Sequence, residues 1–88
     1  MEFSNNQIVM LRNGIYGAVA SFNNKPFQIV FKSYTTPTSK YDGNFKTKNS
    51  NYDVVKIFDG SKIEDIRVLF SSKFNSDNLE IIWEGNKW

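Results

Sequence analysis

The 88-residue sequence predicts a mainly β (α+β) fold: a small bent antiparallel sheet, or a partly open barrel, of about five strands with one capped helix. Three observations carry that expectation. Only two alanines occur, which argues against a helical bundle, while Val, Ile, Phe, Tyr and Thr suit pleated, half-buried surfaces. The apolar residues fall in short runs separated by turn formers, Asn13-Gly14 foremost. One segment alone, from Ser61 to Phe70, has a helical signature. The length fits a single domain over 1–88 with a small core, and the 16% aromatic content enlarges what that core can bury.

The elements follow in order. Residues 1–7 are polar and expected to be loosely held. Ile8–Arg12 is a short apolar run that ends at Asn13-Gly14, a strong hairpin signal because both residues accept positive φ. Ile15–Phe22 is the second strand, and Gly17 within it marks a bulge or a close approach to the backbone. Asn23-Asn24-Lys25-Pro26 is the next turn, and Phe27–Lys32 the third strand of a meander. Residues 33–51 break the pattern. A structureless loop that long is unusual in a compact domain, so a short helix or turn is expected near Ser39–Thr47, with Tyr41 and Phe45 facing the core; the alternative is a mobile binding loop.

Tyr52–Phe58 is the clearest strand, with Val55 and Ile57 on one face and Tyr52, Val54, Lys56 and Phe58 on the other. Ser61 and Glu64 form a capping box, Asp65 adds charge favoured by the helix dipole, and Ile63, Ile66, Leu69 and Phe70 recur at helical spacing. A helix over Lys62–Phe70 is therefore expected. Leu79–Glu84 alternates as the last strand, with Leu79, Ile81 and Trp83 inward. The predicted order is β-β-β-(turn or short helix)-β-α-β.

The chain has no histidine and no cysteine. That removes the usual general base near neutral pH and any disulfide framework. Glu64-Asp65, the close acidic pair, is explained by helix capping. Asp53, Asp59 and Asp77 have no metal-ligand spacing, and Asn13-Gly14-Ile15-Tyr16-Gly17 lacks the rest of a phosphate loop. We expect no catalytic residue, metal site or cofactor. The N-terminus has no signal-peptide pattern and no run reaches membrane-span length, so a soluble cytoplasmic protein is expected.

Charge is uneven. The chain sums to +2, but residues 25–48 carry five lysines against Asp42, and residues 49–88 carry seven acids against five bases. In the basic middle, Tyr34, Lys40, Tyr41, Phe45, Lys46 and Lys48 interleave rings with positive charge. Such a set can stack a base and neutralise phosphate. Arg12, beside the first turn, offers a further bidentate phosphate contact. A pocket lined by Tyr34, Tyr41, Phe45 and lysines would favour a small ligand, whereas a flat basic face would favour single-stranded nucleic acid. Trp88 and a sheet edge are candidate contacts for a protein partner or a second copy.

Leu11-Arg12-Asn13-Gly14, Tyr41-Asp42-Gly43-Asn44-Phe45-Lys46 and Tyr52-Asp53-Val54-Val55-Lys56-Ile57-Phe58 together resemble a pattern in small accessory proteins of phages and prophages of Gram-positive bacteria. The likeness covers residues 10–58, with an echo at Trp83-Glu84; Phe45 stands where leucine is usual, and the nine residues before Met10 fall outside it. The motifs are structural in kind. The resemblance implies a phage-encoded protein in the host cytoplasm that acts by binding. Its partner would be a host protein, a signalling nucleotide or nucleic acid, and its effect would be to antagonise a host process such as defence.

Overall fold

The computed structural model describes residues 2–21 and 27–86. Six antiparallel strands form one open sheet: β1 (Gln7–Leu11), β2 (Tyr16–Ala20), β3 (Gln28–Val30), β4 (Thr35–Pro37), β5 (Val54–Asp59) and β6 (Ile81–Glu84). Their spatial order is β4-β3-β2-β1-β5-β6, with β4 and β6 at the edges. The turn expected at Asn23–Pro26 and the terminal Trp88 lie outside the described residues.

The first hairpin differs from the expected tight turn. Gly14 has φ 88° while Asn13 keeps an ordinary φ. The Gly14 N–H donates to Leu11 O and the Leu11 N–H to Ile15 O, as in a type I turn followed by a glycine bulge. The Asn13 side chain accepts from the Ile15 N–H at 3.0 Å, which stabilises this longer loop.

Gly17 is where a ring meets the backbone. A Cβ there would lie 2.7 Å from Phe31 and 2.8 Å from Ile29, so only glycine lets these side chains close over β2. A bulge falls instead between Met10 and Leu11, where β1 pairs with β5. It moves Val54 onto the face of Ile57, while Ile57 and Phe58 stay on opposite faces as expected. A second irregularity at the β5–β6 pairing puts Trp83 and Leu79 on opposite faces and leaves Ile81 and Ile82 exposed, so the last strand is Ile81–Glu84.

β4 was not expected. Thr35-Thr36-Pro37 is too short and too polar to read as a strand, and Pro37 lacks a donor. At a sheet edge both features are tolerated.

The capped helix over Lys62–Phe70 does not form; among the described residues there is no α-helix. Short-range side-chain bonds hold the backbone in turns instead. Asp59 Oδ1 accepts from the Ser61 N–H, Asp65 Oδ1 accepts from the Arg67 N–H, and a 3-10 turn over Ile66–Phe70 follows. Ile66 and Val68 point to solvent, so the segment never presents the apolar stripe that its spacing suggests. Ile63, Leu69, Phe70, Phe74 and Leu79 serve as separate plugs on one face of the sheet.

The other face is covered by residues 38–53, which form 3-10 turns at Thr38–Lys40 and Ser50–Tyr52. Phe45 is buried there against Trp83, at 4.7 Å between ring centroids. The leading segment is tied down rather than loose: Phe3 packs edge-on against Tyr41 and Phe45.

Candidate functional site

Between the turn that joins β3 to β4 and the 38–53 covering lies a cleft of about 610 Å³. Its position follows from the local chain. The Phe31 N–H donates to Tyr34 O at 2.8 Å, closing a four-residue turn that brings Tyr34 back over Phe31. The two rings stack at 4.8 Å and 27°. Phe31 rests in turn on the space left by Gly17, so the floor of the cleft is set by a glycine in β2.

The opposite wall is held by side chains that lock the backbone. Asp53 is buried; its Oδ1 accepts from the Thr47 N–H at 2.7 Å and its Oδ2 faces Arg12 Nη1 at 3.4 Å. Asn49 caps the next turn by accepting from the Asn51 N–H. That turn swings Tyr52 out of β5, leaving its ring 42% exposed at the cleft. Tyr41 donates its hydroxyl to Tyr52 O at 3.1 Å. Burial, then the neighbouring Tyr34 and Asp53, push the Tyr41 phenol up to about 12, so it stays a neutral donor. Burial also raises the Tyr34 phenol, with Tyr52 adding to the effect.

Lys40 and Lys48 complete the lining, which contains no Asp or Glu. The cleft thus joins three phenol rings to two ammonium groups. It can hold a flat aromatic group against Tyr34 or Tyr52 and an anion against the lysines.

The remaining sequence candidates lie elsewhere. Lys46 lines a shallower depression that shares Lys40, Tyr41 and Lys48 with the cleft. Phe45 is a core residue at φ 60° and does not reach the cleft. Arg12 serves the fold: Nε and Nη2 donate to Asn86 O, Nη1 donates to Ser50 O, and the group pairs with Asp53. Tyr52, Thr47 and Asn49 were missed. The available signal was Asn49-Ser50-Asn51, a turn-and-cap pattern that detaches Tyr52 from the strand after it.

Among the described residues no group of acids could hold a metal ion, and no helix is long and apolar enough to cross a membrane. No family model matches the chain, and neither a curated protein nor a solved structure does so.

Proposed function

We propose that this chain acts by binding, without catalysis, and that the cleft holds a small anionic nucleotide. One observation carries the reading: Tyr34, Tyr41 and Tyr52 converge with Lys40 and Lys48 on one cleft whose lining has no carboxylate. Stacking a base on such a ring contributes about 1–3 kcal/mol. The lysines supply point charges for phosphate, and the absence of acids removes the repulsion that would reject it. Taken with the resemblance to phage accessory proteins, the cleft suits sequestration of a host nucleotide signal, which would blunt a host defence from within the cytoplasm.

Incubation with a panel of nucleotide second messengers, followed by native mass spectrometry and thermal shift, tests the reading. Retention of one nucleotide, weakened by Tyr52→Ala and by Lys48→Ala, is expected. No retained mass and no shift with any nucleotide would overturn it.

A second reading has its own observation. The depression at Lys46 adds a third lysine beyond the cleft, beside Asp42, as a track for single-stranded nucleic acid would. Oligonucleotide binding that weakens steeply with salt would favour this reading, and no binding at low salt would reject it. Occlusion of a host protein by Trp88 or a sheet edge would appear in neither assay and would be found by pull-down from host lysate with and without Trp88→Ala.

A further inference from the structure

The Phe31–Tyr34 turn has a cleft on more than one side. A second cleft, of about 410 Å³, is bounded by the first hairpin turn and by residues 69–74, and it shares Phe31 and Tyr34 with the first. Its lining is again aromatic and free of carboxylates: Tyr16, Phe70 and Phe74 contribute rings, and Ile15 contributes an exposed apolar side chain. Tyr16 and Phe74 meet edge-on at 4.8 Å, and the Tyr16 hydroxyl is paired with Ser76 Oγ, so this wall is fixed before any ligand arrives. Lys32 lines the second cleft and lies on the turn between Phe31 and Tyr34, the two residues that both clefts share.

We infer that the ligand is a dinucleotide with one base in each cleft and its linking phosphate at the shared turn. This rests on the nucleotide reading of the first cleft and extends it. Nine acids occur in the chain and none lines either cleft, whereas each cleft has both rings and a lysine. A mononucleotide would use one of these sites. A ligand with two bases uses both, and binding the second base is then an intramolecular step at high effective concentration.

Titration calorimetry with AMP and with the 5′-phosphorylated dinucleotide pApA separates the two ideas. The expected result is pApA binding on the order of 100-fold tighter than AMP. Ile15→Glu, a surface change that puts a carboxylate into the second cleft, should remove most of that advantage. AMP and pApA binding equally would overturn the two-base ligand while leaving the nucleotide reading intact. An advantage that survives Ile15→Glu would overturn the role of the second cleft. Binding of neither, with the nucleotide panel also unbound, would overturn both readings. A hexa-adenylate binding far more tightly than pApA would overturn the two-base limit in favour of a continuing strand.

Discussion

Each face of the sheet is covered by irregular chain, and the two coverings are built on opposite plans. Residues 38–53 are held by polar side chains that bond the backbone: Asp53 to Thr47, Asp42 to Asn44 and Lys46, and Asn86 to Asn44 and Val54. Residues 60–79 are anchored to the sheet by apolar plugs, and their side-chain bonds to backbone stay local, reaching only two residues along the chain. The difference explains where the larger cleft lies. A covering locked by side-chain bonds can leave Tyr52 and two lysines at the surface. A covering anchored by its rings leaves them only partly open, as Phe70 and Phe74 are at the second cleft.

The two ion pairs make the same point. Arg67 forks onto Asp65 at 2.7 Å, but the side chains are 85% and 48% exposed. Arg12 and Asp53 stand 3.4 Å apart at 10% and 5% exposure, and both also bond backbone. Burial decides which matters, because water screens the shorter contact.

The sharpest way to break the polar covering is Asp53→Ala. It removes the carboxylate that pairs with the Arg12 guanidinium and accepts from the Thr47 N–H, and about 3 kcal/mol of stability should be lost in urea unfolding. A loss below about 1 kcal/mol would mean that the pair is not a staple. Gly17→Ala acts from the sheet side. Its Cβ would lie 2.7 Å from Phe31, so either Phe31 shifts or β2 does, at about 1–3 kcal/mol. Because Tyr34 stacks on Phe31, the same change should weaken nucleotide binding. Lost stability with unchanged affinity would separate the floor of the cleft from its function.

Titration probes the covering with less damage. Tyr41 ionises near 12, above the ordinary 10.0, so folding favours its neutral form. The stabilisation is complete below pH 10 and is lost as pH rises towards 12. Phenolate absorbance should show one late step that Tyr41→Phe removes. Simultaneous ionisation of all the tyrosines near 10 would contradict the burial of Tyr41. The smallest effect belongs to Asp65→Asn, which removes the ion pair but keeps an acceptor for the Arg67 N–H and should leave the urea midpoint unchanged within error. The carboxyl does sit low, at about 2, held chiefly by the Arg67 side chain, but water reaches and screens the pair.

Much of the sheet was legible where a residue's chemistry is local. Asn13-Gly14 marked a turn whatever its type, Gly17 marked a close approach, and the Val-Val-Lys-Ile-Phe run marked β5. The misreadings came where partners decide. The bulges beside Leu11 and Phe58 exist only in the pairing of strands, so facing along β5 and β6 could not follow from alternation alone. Ser61 and Glu64 read as a cap because spacing cannot reveal that Asp59 and Asp65 would bind their own following N–H groups. At the site, Tyr34, Lys40, Tyr41 and Lys48 were legible as rings among charges. Arg12 was not legible as a staple, because Asp53 and Asn86 lie 41 and 74 residues away in the chain.

The direct test of the contrast between the coverings is a heteronuclear NMR titration with AMP. Amide shifts should concentrate at Tyr34, Lys40, Lys48 and Tyr52, with those of Ile63, Leu69 and Leu79 unmoved. Shifts centred on residues 60–79, or none at millimolar AMP, would contradict a nucleotide site on the polar covering.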